Sequence, residues 1–347
     1  MYNEYMYQEA IENIKYQAQK ITYLANSFNS SLTDAINLFL KLGSNNVNPI
    51  DNDVFFKSQV NADSLLNAYA SLIDYYYIAI ATKMNAPLDV INSVQYKKIT
   101  NELITKKESW SKYLQRLKPI LEEKFEPKND IWNEFYFMWG DVFKEELVKW
   151  RVLKSEDPAF LELTKKNGKI DILPNEAIQE YYRLTHFLYC NRTGFGHKYN
   201  IFLELNNYLK HNRYPLVKYE AQSLKDGDYA YAFYTIHKNE VHLLKAGIIR
   251  TFAEIDFDTL KEALKHCYEN RGVLSSLEME IGLPIINVDR VNGYESDSCL
   301  YFQLGGVLMS RSVDSISVNV HSLFPVSGSL LREISNALGC KLIPDIK

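Results

Sequence analysis

The residues best suited to chemistry lie in the segment 175–211, where Arg192 and His197 are separated by four residues. A histidine titrates near neutral pH, so His197 is able to take a proton from a ribose 2′-hydroxyl or give one to a leaving oxygen. An arginine stays charged, so Arg192 is suited to hold the scissile phosphate and to stabilise charge in the transition state. A reaction of this kind would need a ribose 2′-hydroxyl, and therefore RNA and not DNA.

The element Arg192-Thr-Gly-Phe-Gly-His197 lies between two predicted helices of a helical region. In this setting the sequence resembles the HEPN superfamily, a group of helical-bundle proteins that includes many ribonucleases and whose signature is an arginine followed a few residues later by a histidine. The resemblance implies that Arg192 and His197 are catalytic and that RNA cleavage is independent of metal. It also implies a site at the face between two protomers, and a role in toxin–antitoxin or anti-phage systems.

The same segment also has a purely structural interpretation. The two glycines of the element favour the end of one helix and a tight turn. Arg192 would then pair with a carboxylate such as Glu180 or Glu204, and His197 would cap the next helix or bond to a buried carbonyl. The sequence leaves both interpretations open.

A second resemblance involves the same residues. The stretch FLYCNRTGF, followed by KYN, is similar to a segment of DNA adenine methyltransferases of the Dam type. That family also carries a glycine-rich cofactor motif and a catalytic Asp-Pro-Pro-Tyr motif, and the sequence has neither. Its one Asp-Pro pair, Asp157-Pro158, is followed by alanine and phenylalanine, so we do not expect methyl transfer.

Other motifs for metal, phosphate or nucleophilic chemistry are missing from the sequence. It has no H-E-x-x-H, no closely spaced cysteine pair, no phosphate-binding glycine loop and no G-x-S-x-G element. His237 and His242 flank a predicted turn and are interpreted as surface residues. The segment SGSLLREI at 327–334 is interpreted as a capped helix and not as an anion site. We therefore expect neither a metal nor a cofactor.

Composition excludes several classes of protein. The 347 residues include 39 Lys+Arg and 43 Asp+Glu, a net charge of -4, which excludes a strongly basic nucleic-acid coat. The four cysteines are widely spaced, which is typical of reduced thiols and predicts a cytoplasmic protein. We find no apolar run long enough to span a bilayer and no signal peptide, so we expect no membrane association.

Periodicity divides the chain into two parts. The first 185 residues contain three of the 14 glycines, and long apolar patterns there predict helices. These predicted helices cover 5–28, a second segment capped by Ser31, 62–85, 89–126 and 130–154, and then 175–190 and 197–211. After Tyr214-Pro215, shorter alternating runs predict strands and turns. The predicted elements there are a hairpin of 228–236 and 241–249, a helix over 256–270 capped by Asp256 or Asp258, strands over 283–290, 299–309 and 315–321, a helix over 329–338 and a last strand in KLIPDI.

The sequence therefore predicts an α+β fold, in which an N-terminal helical bundle is followed by a mixed α/β region with a small sheet. The predicted domains are 1–211 and 212–347. The 25 tyrosines, 17 phenylalanines and four tryptophans are interpreted mainly as core and interface residues. The predicted function is a HEPN-like, metal-independent endoribonuclease with RNA as a partner and a homo-oligomeric state. The alternative is a non-catalytic protein that binds another protein or a nucleic acid.

Overall fold

The secondary structure comes from a computed structural model. It describes residues 2–42, 52–94, 147–152, 165–166, 169–170, 176–189, 197–211, 217–224, 227–244, 247–269, 290–296 and 299–342, with His197 described by its backbone alone. The helices are α1 (Tyr2–Leu42), α2 (Asp53–Lys83), α3 (Leu88–Ile91), α4 (Glu176–Tyr189), α5 (His197–His211), α6 (Ile248–Glu254), α7 (Phe257–Glu269) and α8 (Leu323–Leu338). The strands are β1 (Lys165–Lys166), β2 (Lys169–Ile170), β3 (Val217–Leu224), β4 (Gly227–His237), β5 (Arg290–Ser296), β6 (Cys299–Leu304), β7 (Val307–Ser312) and β8 (Ser315–Asn319).

The predicted α+β class is confirmed. A helical N-terminal region is followed by an antiparallel sheet with the strand order β3-β4-β8-β7-β6-β5. The chain forms two compact units, one of residues Met1–Ile14 and Ile73–Arg192 and the other of Lys15–Leu72 and Thr193–Lys347. The division into domains at 211/212 stays a prediction. The predicted elements over 89–126, 130–154 and 283–290 and in KLIPDI lie almost entirely outside the described residues.

Helix α1 forms because its apolar residues recur every three or four positions, which places them on one face. The buried members of this face in the second unit include Ala18, Ile21, Ala25, Phe28 and Leu32. The prediction that a new helix starts after Ser31 is wrong, because α1 continues to Leu42. The Ser31 hydroxyl donates to the carbonyl of Phe28 at 3.0 Å and accepts from Asn61 of α2 at 2.9 Å, so this buried residue links two helices.

Helix α2 begins at Asp53, nine residues before the predicted start at 62. The side chain of Asn52 accepts a hydrogen bond from the Val54 N–H at 2.9 Å, which satisfies a backbone donor of the first turn. Phe55 is fully buried and its ring lies 5.0 Å from that of Tyr219 in β3. The first turns of α2 therefore contact the sheet through Phe55.

Strand β4 has different partners from those predicted. The predicted second strand of its hairpin, 241–249, contains the end of a 3-10 helix, Lys238–Leu243, and the start of α6. β4 pairs instead with β3 before it in the sequence and with β8 far beyond it. Ile248, Ile249 and Phe252 are buried at the spacing of a helix. A short apolar run in a sequence does not distinguish such a helix from a strand.

Gly305 and Gly306 form the turn between β6 and β7, so the single strand predicted over 299–309 is wrong and the segment belongs to two strands. Both glycines have positive φ, 56° and 78°, as the central residues of a tight hairpin turn require.

We expect Gly306→Ala to lower the free energy of unfolding by about 1 kcal/mol, because an L side chain is strained in this region. The matched control is Gly328→Ala in helix α8, which should raise it by about 0.5 kcal/mol. Urea denaturation of both variants tests the pair, and equal effects would contradict the assignment of strain to the turn.

The predictions for two helices of the second half differ in outcome. α7 is confirmed with Asp256 as its cap, since the Asp256 carboxylate accepts from the Thr259 N–H at 3.2 Å. α8 begins at Leu323 and not at 329. The N–H groups of the segment 327–334 are therefore inside the helix, where no anion could reach most of them.

One face of the sheet packs against helices of the same unit. The register places Tyr219, Tyr234 and Phe302 on this face. The Tyr219 ring lies 5.6 Å from that of Phe39 in α1, and the Phe302 ring stacks on that of Phe252 in α6 at 5.1 Å. The apolar core of the second unit therefore lies between this face and the helices that contact it.

Candidate functional site

Helix α5 is the element that carries the predicted site. Its predicted bounds, 197–211, are confirmed, and His197 is its first residue. Arg192 and the side chain of His197 lie outside the described residues, so their catalytic roles stay predictions. What the structure does describe is how the rest of α5 is held in place.

A polar cluster holds the first turn of α5. The Lys198 ammonium donates to Ser329 Oγ at 3.1 Å and to Glu333 Oε1 at 3.2 Å, both on α8. Ser329 also donates to Glu333 Oε1 at 3.1 Å. Burial raises the pKa of the neighbouring Tyr199 phenol well above its ordinary value, so this group stays neutral. The cluster joins the start of α5 to a helix more than a hundred residues later.

The middle of α5 caps another helix. The Glu204 carboxylate accepts from the Ile248 N–H at 2.6 Å and from the Ile249 N–H at 2.8 Å, at the beginning of α6. Burial raises the pKa of this carboxyl to about 7, because lost hydration outweighs the two backbone bonds. A Cβ at Gly247 would lie 2.1 Å from the carboxyl carbon, so only glycine allows this approach.

The last turns of α5 and its apolar side complete the set of anchors. The Tyr208 hydroxyl donates to Glu240 Oε2 at 3.1 Å, and both residues are buried. On the apolar side, the ring of Tyr69 in α2 lies 6.4 Å from that of Tyr199 and 6.0 Å from that of Phe202. Polar and aromatic contacts thus fix α5 along its whole length.

Sequence reasoning missed the anchoring residues Lys198, Glu204 and Tyr208. A partial signal was available, because positions 200, 204 and 208 fall on one face of a helix and all carry polar groups. The partners were not predictable, since Glu204 and Ile248 are 44 residues apart and Lys198 and Glu333 are 135 apart.

The opposite end of α6 is held by a buried arginine. Arg311 of β7 is 2% exposed and donates to the carbonyls of Phe252 at 3.3 Å, Ala253 at 3.2 Å and Ser315 at 3.3 Å. Loss of hydration lowers the pKa of its guanidinium from the ordinary value. α6 therefore has a carboxylate at its amino end and a guanidinium at its carboxyl end, the charge order that a helix dipole favours.

A second polar set lies on the other face of the sheet. Thr235, Ser317, Ser310 and Tyr301 follow one register line across β4, β8, β7 and β6. The Thr235 and Ser317 hydroxyls are 3.0 Å apart, and the Tyr301 hydroxyl donates to Glu220 Oε2 at 3.3 Å. Burial raises the pKa of the nearby Cys299 thiol, which disfavours the nucleophilic thiolate. These groups satisfy one another and do not by themselves define a reaction.

Among the residues that the structure describes, no group of three or more His, Cys, Asp or Glu side chains is arranged to hold a metal ion. None of the helices in these ranges combines the length and the hydropathy that a membrane crossing requires.

Comparison of the chain with known protein families, with curated proteins and with solved structures finds no match in any of the three.

Proposed function

We propose that the protein is a HEPN-like, metal-independent endoribonuclease in which Arg192 binds the scissile phosphate and His197 transfers protons. In this reaction His197 removes the proton of a ribose 2′-hydroxyl and the resulting alkoxide attacks phosphorus. The bond from phosphorus to the 5′-oxygen breaks, and the protonated His197 gives its proton to the departing 5′-oxygen. The products are a 2′,3′-cyclic phosphate and a 5′-hydroxyl. The charge of Arg192 stabilises the negative oxygens of the transition state.

The observation that supports this proposal is the position of His197 at the start of α5. Three polar anchors and an aromatic contact hold this helix, and a site built on a rigid helix is more accurately oriented than one on a loop. The amino end of α5 also carries the positive end of the helix dipole, which favours a nearby phosphate. As part of the proposal, the active form is a homodimer that acts on cytoplasmic RNA in a toxin–antitoxin or anti-phage setting.

The test is RNA cleavage by purified protein in the presence of EDTA. Wild-type protein should cleave mixed RNA to 2′,3′-cyclic phosphate ends and should not cleave the same sequence as DNA. His197→Ala and Arg192→Ala should each reduce the rate by about a hundredfold or more, the usual contribution of a proton-transfer or charge-stabilising group. Circular dichroism establishes that the variants are folded.

His211→Ala is the matched control, because His211 is an exposed histidine at the other end of α5. It should cleave RNA at the wild-type rate. Cleavage that survives in His197→Ala, or that falls equally in His211→Ala, would overturn the assignment of His197.

The second candidate is a binding protein without catalytic activity. Tyr16 and Tyr23 are 69% and 72% exposed and lie two helical turns apart on the solvent side of α1. Exposed aromatic rings at such spacing are typical of surfaces that stack on bases or contact a partner protein. Wild-type protein that binds RNA or another protein, and leaves RNA intact, would favour this function.

A further inference from the structure

The first turn of a helix is less restrained than its central turns. Its four leading N–H groups have no partner within the helix, and terminal turns open more easily than central ones. In α5 helix geometry pairs the Ile201 N–H with the His197 carbonyl. The position of the His197 backbone therefore depends on what fixes this turn from outside.

The external contact comes from α8. Lys198 is the second residue of α5, and its ammonium bonds to both Ser329 and Glu333. The side chains of Lys198 and Glu333 are only 19% and 28% exposed, so the ion pair is less screened by solvent than a surface pair. The ammonium also lies 4.8 Å from the centre of the Tyr199 ring, which adds a cation–π contact.

The hydrogen bonds within the cluster depend on one another. Glu333 Oε1 accepts from Lys198 and from Ser329, and the Ser329 hydroxyl also lies 3.5 Å from that of Tyr199. Tyr199 is fully buried, so the residue that follows Lys198 is fixed in the core. Loss of the Glu333 carboxylate would leave Lys198 with a single neutral acceptor and a poorly compensated charge.

We infer that Lys198, Ser329 and Glu333 are positioning residues that hold the first turn of α5, and with it the backbone of His197, in the place that its reaction requires. The effect on catalysis rests on the proposed ribonuclease function, but the effect on the helix does not. Helix α8 thus supports a site that is carried by α5, more than a hundred residues earlier in the sequence. A displacement of about 1 Å in a catalytic group can reduce a rate by about a hundredfold, so a displacement of this turn would be measurable.

The first experiment measures amide hydrogen exchange in full-length protein. In Glu333→Ala, exchange at Ile201 and Phe202 should become about tenfold faster, because the turn opens more often, whereas Leu205 and Tyr208 should keep their rates. Glu333→Gln keeps the acceptor oxygen and should restore most of the protection. Glu262→Ala is the matched control, since it removes an exposed carboxylate from α7.

The second experiment measures RNA cleavage by the same variants. Glu333→Ala and Lys198→Met should each lower kcat about tenfold with KM within about twofold of wild type, because positioning affects the reaction and not the binding of RNA. The double variant should be no slower than the worse single one, as expected for residues that act as a unit.

The two experiments separate the two hypotheses. If wild-type protein cleaves no RNA, the proposed function fails, and the exchange rates alone decide whether the cluster holds the turn. Unchanged exchange at Ile201 and Phe202 in Glu333→Ala would overturn the inference in either case. Faster exchange with an unchanged kcat would show that the cluster is structural and does not position His197.

Discussion

Arg311→Ala should lower the free energy of unfolding by about 4 kcal/mol, because three carbonyls lose charge-assisted hydrogen bonds in a buried site. Two of these carbonyls, of Phe252 and Ala253, belong to the carboxyl end of α6 and have no continuing helix to bond to. The third, of Ser315, belongs to β8. The loss should therefore detach α6 from the sheet, and urea denaturation followed by circular dichroism measures it.

Two further variants make this prediction specific. Arg311→Lys keeps the charge but lacks the branched donor group, so it should lose about half as much stability and remains measurable if the alanine variant does not fold. Arg250→Ala is the matched control on α6, because its partly exposed guanidinium pairs with Glu254 and donates to the carbonyl of Leu244 at 3.0 Å. The substitution should lower the free energy of unfolding by about 1.5 kcal/mol. A loss in Arg311→Ala no larger than that in Arg250→Ala would contradict the role of the buried arginine.

The stability of wild-type protein relative to Glu204→Gln should fall as pH rises from about 4.5 to about 7. The pKa of Glu204 is raised from its ordinary value of 4.5 to about 7 in the folded protein. A raised carboxyl pKa means that the folded state holds the proton more tightly than the unfolded state does. The stability that the protein gains from proton binding at Glu204 is therefore complete below about pH 4.5. It decreases between about pH 4.5 and pH 7 and does not change further above about pH 7.

The size of this change follows from the shift in pKa. Each unit corresponds to about 1.4 kcal/mol, so the change in stability reaches up to about 3 kcal/mol across the interval. Glutamine has the same shape and does not titrate, so unfolding free energies of both proteins at several pH values isolate the Glu204 contribution. Glu262→Gln on α7 should follow the wild-type curve at every pH. A wild-type curve parallel to that of Glu204→Gln would refute the prediction.

Both predictions concern α6, which shows why part of the structure was not predictable from the sequence. The pattern of this segment fits a strand as well as a helix, because the segment is short and its apolar residues are close together. Its helical form is decided by Glu204 at one end and Arg311 at the other, and neither is a neighbour in the sequence. An isolated helix of this length would not form in water.

The sequence by itself determined the α+β class and the helices α4, α5 and α7. These features depend on contacts within a few residues, such as apolar spacing and the bond from the Asp256 carboxylate to Thr259. Only the tertiary structure decided that Ser31 lies inside a continuous helix, that β4 pairs with β8, and that Lys198 bonds to Glu333. These contacts join residues far apart in the chain, and their free energy exceeds the weak local preferences that the sequence displays.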